Sequence, residues 1–186
     1  MKTRRKHLTV GEVQRLVDAA RRGANPERDV CLLWMCFNHG CRVSEIRHWK
    51  LSEIDIQSGV IYIRRLKNGF STTHPIYKQE VKVLNEWLRV RKDYPGNHSG
   101  WLFLSRNGQP LSRQRIYQMM KNLSLVAQLE ISAHPHMLRH ACGFALANNG
   151  VDTRLIQDFL GHRNIQHTVI YTASNDARLR EVWYMK

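Results

Sequence analysis

The sequence predicts a mainly α-helical fold with a small three-stranded antiparallel sheet, and three observations carry that prediction. Apolar residues recur at helical spacing along most of the chain. One stretch, residues 53 to 77, switches to alternation with β-branched residues and glycine-containing turns. The length of 186 residues fits one domain large enough to bury a core.

Each element follows in order. Thr9 and Glu12 form a capping box, and Val10, Val13, Leu16, Val17 and Ala20 then keep helical spacing. Asn25 and Pro26 open a second helix, PERDVCLLWMCFNHG, whose continuous apolar middle predicts burial and whose Gly40 predicts a stop. A short polar helix, RVSEIRHW, comes next. EIDI, VIYIRR and STTHPIY then read as a meander, divided by Ser58-Gly59 and by LKNGF. From Lys78 to Lys92 a helix returns, with Val81, Leu84, Trp87 and Leu88 on one face. DYPGNHSG, residues 93 to 100, is a loop too short to mark a domain boundary. Ser112 opens another helix, and residues 136 to 148 form a further one after Pro135, with Met137, Leu138, Ala141, Phe144 and Ala145 facing the core.

Charge narrows the function. Lys and Arg number 29 against 15 Asp and Glu, a net +14 spread along the chain, which implies a polyanionic partner, most simply nucleic acid. No apolar run approaches the roughly 20 residues that span a bilayer, and the basic start MKTRRKHLTVGE lacks the apolar stretch of a signal peptide. A cytosolic location is expected. Cys31, Cys36, Cys41 and Cys142 contain no C-x-x-C pair and read as small buried hydrophobes.

HPHMLRHACG, residues 134 to 143, concentrates three histidines and an arginine at a helix start. His136 and Arg139 are three apart, on one face beside the positive end of the helix dipole, an arrangement that favours an anion such as phosphate. His136 and His140 have the spacing to share a metal, but the Glu of a zincin helix and a third ligand are missing, so no metal is expected. Elsewhere Arg42 has Glu45 three residues on to hold its guanidinium, Lys67 sits at a hairpin tip, His162 follows a helix-breaking glycine, and Tyr171 lies near the end of a short helix. Taken singly, each has a plainer reading as a helix cap, a surface ion pair, a solvated turn or a half-buried aromatic. Together they form a set suited to a phosphodiester.

HGCRVSE, HPHMLRHACG, LIQDFLGH and HTVIYTA resemble the successive boxes of the tyrosine recombinase (phage integrase) family, in that family's order and spacing, over about Thr9 to Asn175. RRLKNGFST and DTRLIQD, the latter followed by LGHRN, are similar to the short recombinases that invert fimbrial promoter elements. The resemblance implies that Arg42 and Arg139 clamp the scissile phosphate and that Lys67 protonates the leaving 5′ oxygen. It further implies that His136 assists proton transfer at the nucleophile, His162 hydrogen-bonds a non-bridging oxygen, Glu45 supports Arg42, and Tyr171 is the nucleophile.

Elementary chemistry fits these types. Attack on a phosphodiester builds charge on equatorial oxygens, which fixed guanidinium donors stabilise. A phenol of pKa about 10 needs a nearby base and cations before it attacks. A phosphotyrosine conserves the broken bond's energy, so no ATP is needed, and the chain has no glycine followed by lysine, hence no P-loop. No cofactor is expected.

For DNA contact, the helix after Ser112 carries Arg113, Gln114, Arg115 and Lys121, which the resemblance places toward the major groove. Arg64, Arg65 and the KTRRK start read as phosphate contacts. Many relatives carry an additional N-terminal helical domain, whereas here only about eight residues precede the first helix. The expectation is therefore a single catalytic domain over residues 1–186, with a basic arm at 1–8, a tail at 176–186, and no separate core-binding domain. Such a domain would act on double-stranded DNA with inverted repeats as a synaptic homotetramer, aided by accessory DNA-bending proteins, its tail (Leu179, Val182, Trp183) docking on a neighbour. Two alternatives differ in outcome. A type IB topoisomerase would relax supercoils without a partner site, against which the fimbrial likeness counts. A non-catalytic DNA-binding regulator would not require a nucleophile.

Overall fold

The structure is a computed structural model, and it describes residues 5–66 and 69–173. The order is α1 (Val10–Arg21), α2 (Pro26–Asn38), α3 (Val43–Ile46), β1 (Ile54–Asp55), β2 (Val60–Ile63), β3 (Thr72–Pro75), α4 (Lys78–Arg91), α5 (Arg113–Val126), α6 (Pro135–Asn148), α7 (Thr153–Leu160) and α8 (Gln166–Thr172). The expected class, mainly helical with one small sheet, is what is found.

Helix α1 begins where the capping box places it: the Glu12 amide donates to the Thr9 hydroxyl at 3.2 Å and the Thr9 amide to the Glu12 carboxylate at 2.8 Å. Val13, Leu16, Val17 and Ala20 are buried, but Val10 in the first turn is exposed. The apolar α2 runs through the centre, packed against α1, α4 and α6. It stops at Asn38 because Gly40 takes a left-handed φ of 57°, and a Cβ there would meet the Leu160 side chain at 2.3 Å.

The strands pair antiparallel in the order β1-β2-β3, with Ile61 opposite His74. All three are shorter than the alternation predicts. β2 ends at Ile63, opposite Thr72, and β3 at Pro75, opposite Val60. Ile61 and Ile63 face inward and Tyr62 outward, the period of two expected of a half-buried strand. His74 faces inward too. Its Nδ1 lies 3.1 Å from Nδ1 of His39, whose Nε2 lies 3.1 Å from Glu80, so a buried polar chain joins β3, the residue that caps α2, and α4. Burial, then His39 and Arg65, hold the His74 pKa down to about 3, which keeps that ring neutral.

Loop 93–100 is fastened by Arg91, whose guanidinium donates to Asn97 O at 2.8 Å and Ser99 O at 2.7 Å. Helix α5 opens at Ser112, whose hydroxyl accepts the Arg115 amide at 3.0 Å. Ser112→Ala is expected to cost about 1 kcal/mol, read as a lowered midpoint in urea unfolding with an unchanged slope. The four cysteines are buried and free. Among the described residues no helix is long and apolar enough to cross a membrane.

Candidate active site

Glu45 organises the site. It sits one turn into α3 with its side chain out of solvent, and four donors converge on it. Oε1 accepts from Arg42 Nη1 at 2.7 Å and the Leu66 amide at 3.2 Å, while Oε2 accepts from the Arg42 amide at 2.8 Å and Arg65 Nη1 at 3.1 Å. Arg139 Nη1 stands 4.0 Å away. Burial alone would raise this carboxyl, but Arg65, the Arg42 amide, Arg139 and the Arg42 guanidinium outweigh burial and hold it below the usual carboxylate range. One carboxylate thus balances three guanidinium groups, leaving the cluster net positive.

Arg139, 1% exposed, comes from the first turns of α6. It donates from Nη1 to Gly40 O and from Nη2 to Leu160 O, the carbonyls at the ends of α2 and α7. Burial, then Arg65 and Arg42, bring its pKa to about 10, so it stays charged at neutral pH. Those two bonds fix the guanidinium plane and leave three of its five N–H donors for an anion. Arg42 is the more open member, its side chain one-quarter exposed.

His162 follows Gly161, which ends α7 with a left-handed φ of 67°. Its Nδ1 meets the hydroxyl of buried Thr168 at 2.8 Å, and its carbonyl accepts from Gln157 at 2.9 Å. In the tautomer in which the Thr168 hydroxyl donates to Nδ1, Nε2 carries the hydrogen and is the ring's donor. Burial, then Arg139 and Arg42, hold the ring's pKa to about 3.

Tyr171 lies on α8, stacked on His162 at 6.4 Å between centroids and edge-on to Phe144 at 5.1 Å. It is 2% exposed. Its hydroxyl meets Nδ1 of His140 at 3.0 Å. Burial pushes the phenol up to about 12 against the opposing pull of Arg139 and Arg42. The ring lies so close to α6 that a Cβ on Gly143 would stand 2.6 Å from two of its atoms.

The structure therefore gathers Arg42, Glu45, Arg139, His162 and Tyr171 in one place. His136 is exposed at the start of α6, edge-on to His140 at 4.4 Å, and the hydrogen-bond partner of the phenol is His140 rather than His136. Lys67 lies outside the described residues, as do the tail from 174 on and residues 1–4 of the arm; the neighbouring Leu66 is tied by its amide to Glu45.

Arg65 corrects the sequence reading. It is not a surface phosphate contact: its side chain is buried, ion-paired with Glu45, and donates to His39 O at 3.0 Å and Phe159 O at 2.7 Å. The signal was available, because Arg65 keeps the parity of inward-facing Ile61 and Ile63. Arg64, of opposite parity, is exposed and pairs with Glu53 at 3.0 Å.

The exposed face of α5 divides. Gln114 and Lys121, joined by Gln118, line a cleft of about 770 Å³ whose other wall carries Arg5, His136 and His140. Arg115 turns away into a separate hollow with Arg28 and Arg106, and Arg113 lies over the Tyr117 ring at 5.6 Å.

Thr168 and Gln157 escaped sequence reasoning. The signal for Thr168 was its position three residues before Tyr171, on the same helix face.

Residues 6–178 match the phage integrase family. The chain is 53% identical over 180 residues to the type 1 fimbriae regulatory protein FimB of Escherichia coli K12, covering 97% of this chain and 90% of that protein. It is 46% identical over 182 residues to FimE of the same strain, covering 97% and 92%. The crystal structure of XerA recombinase superposes with a TM-score of 0.81 at 30% identity, over 96% of this chain but only 64% of that one. The motifs, the fold and these likenesses agree: the chain belongs to the phage integrase family and is a tyrosine recombinase.

Proposed function

We propose that this protein is a site-specific recombinase that inverts a promoter element between inverted repeats, and so controls fimbrial phase variation. The convergence of Arg42, Arg139, His162 and Tyr171 around the buried Glu45 carries the chemical part of this reading. Likeness to FimB and FimE over nearly their whole length carries the biological part.

In the reaction, Arg42 and the three unengaged N–H groups of Arg139 hold the scissile phosphate, and His162 donates Nε2–H to a non-bridging oxygen. The developing charge then meets donors already oriented. Tyr171 attacks, Lys67 protonates the departing 5′ oxygen, and the 3′-phosphotyrosine keeps the bond energy for rejoining. Arg64, Arg113, Gln114, Arg115 and Lys121 hold the duplex, with the Gln114 and Lys121 face beside the catalytic cleft. Four protomers synapse two repeats with the help of DNA-bending proteins, in the cytoplasm at the nucleoid.

The test is to incubate the purified protein with its own genomic flanking DNA, with EDTA and without ATP, and to look for protein covalently attached at a 3′ phosphate. Wild type is expected to form the adduct and Tyr171→Phe to form none. Absence of an adduct on DNA that the wild type binds rejects the reading.

A further inference from the structure

We propose that His39, His74 and Glu80, buried together behind the site, are positioning residues for the phosphate clamp: they hold the main-chain carbonyls on which the guanidinium groups of Arg65 and Arg139 rest. The proposal rests on the reading of Arg139 as a group that binds the scissile phosphate.

Two dipeptides carry the geometry. His39–Gly40, just past the end of α2, and Phe159–Leu160, at the end of α7, supply the carbonyls that seat both arginines. Arg65 donates to His39 O at 3.0 Å, Gly40 O at 3.3 Å and Phe159 O at 2.7 Å. Arg139 donates to Gly40 O, and to Leu160 O at 2.8 Å. A histidine ring stands against each dipeptide: His39 belongs to the first, and His74 packs on the Phe159 ring at 4.0 Å between centroids. The two imidazoles meet Nδ1 to Nδ1 at 3.1 Å. Displacing either ring therefore moves the seat of a guanidinium.

The far ends of the chain are anchored in turn. His74 Nε2 lies 2.8 Å from the Thr72 hydroxyl, and the edge of His39 meets Trp49 at 6.0 Å between centroids. Glu80, in the first turn of α4, places Oε1 3.1 Å from His39 Nε2, off the axis of a hydrogen bond, so its hold on that ring is electrostatic. The same oxygen accepts from Asn38 at 3.0 Å, and Oε2 accepts the Tyr77 amide at 2.8 Å. Burial would raise this carboxyl, but His39, the Tyr77 amide and Asn38 hold it below the usual carboxylate range.

Stability alone does not call for such a chain. Apolar side chains of similar volume would join α2, β3 and α4 without burying a carboxylate and two imidazoles, all three no more than 3% exposed. A connected polar network instead specifies one arrangement of its members, because a shift leaves a buried group unpartnered. That rigidity passes through His39–Gly40 and Phe159–Leu160 to Arg139, whose guanidinium must meet the phosphate with sub-ångström accuracy.

The experiment measures single-turnover adduct formation on a nicked substrate at saturating DNA, well below every unfolding midpoint, with DNA affinity and thermal unfolding measured alongside. The variants are His39→Leu, His39→Gln, His74→Leu and, as a control for stability alone, Val17→Ala in the core of α1. His39→Leu is expected to bind DNA as the wild type does and to form adduct about ten- to a hundredfold more slowly. His39→Gln, whose carboxamide nitrogen takes the place of Nε2 beside Glu80, is expected to recover much of that rate. His74→Leu is expected to be slow with unchanged affinity, and it carries the test if His39→Leu does not fold. Val17→Ala should unfold earlier yet keep the wild-type rate. Wild-type rates in His39→Leu and His74→Leu would overturn the proposal, as would a loss that the glutamine variant does not relieve or that Val17→Ala shares. Failure of the wild type itself to form adduct would instead reject the recombinase reading.

Discussion

Glu45→Ala is expected to abolish strand cleavage and to destabilise the fold by about 3–5 kcal/mol. Among the described residues the carboxylate is the one anion paired with Arg42, Arg65 and Arg139, and it also accepts the amides of Arg42 and Leu66. Its removal leaves two buried guanidinium groups facing each other without a counter-charge, which is the costly way to break a buried ion pair. The functional loss has a separate origin. Arg42 loses the contact that aims it, and Leu66 loses its amide's tie to the site. Glu45→Gln keeps the shape and separates the two effects, because it retains an acceptor but removes the charge.

The pH dependence follows with a defined sign. The folded carboxyl is held below its unfolded pKa of about 4.3, so its stabilisation is fully present above that value and is lost as pH falls through the lower folded value. The glutamine variant should therefore lack part of the acid limb of the stability curve. Urea midpoints measured between neutral pH and the acid range check this, and parallel curves for the two proteins would reject it.

Gly143→Ala is expected to reduce adduct formation by about a hundredfold at a stability cost of about 1–3 kcal/mol. The added methyl would stand 2.6 Å from two ring atoms of Tyr171, in a pocket closed by His140, Phe144 and His162. Helix α6 is anchored at both ends of the cluster by Arg139, so the ring and α8 must give way. The nucleophile then leaves its place relative to Arg139 and His140, and a displacement of about an ångström suffices for such a loss. Phenol titration by ultraviolet absorbance gives an independent readout. In the wild type one tyrosine is pushed up to about 12, and in the variant it should return toward the ordinary value of about 10 as water reaches it. An adduct rate like that of the wild type would show that the ring does not need this seat.

Much of the site was legible because its signals are local. A capping box, a Pro at a helix start and a glycine at a helix stop each occupy a few consecutive positions, and α1, α2, α5 and α6 appear where those signals lie. The pairing of Arg42 with Glu45 follows from their spacing at a helix start and is found at 2.7 Å. The strands are shorter than the alternation because alternation reports which face is buried and persists past the last paired residues, Ile63 and Pro75.

By itself, the sequence determined the helix-rich class with its three-strand meander, the family, and the set of side chains able to handle a phosphodiester. These depend on residue type and on spacing of a few positions, which the chain carries explicitly. Only the tertiary structure decided that Arg65 is spent inside the protein, bonded to a carbonyl 94 positions away, and that the phenol of Tyr171 meets His140, 31 positions away, rather than His136. Two histidines on one turn of a helix share a periodicity, so the sequence treats them alike. Which one reaches the phenol depends on where α8 packs against α6, and that packing is set by the close approach of the Tyr171 ring to Gly143.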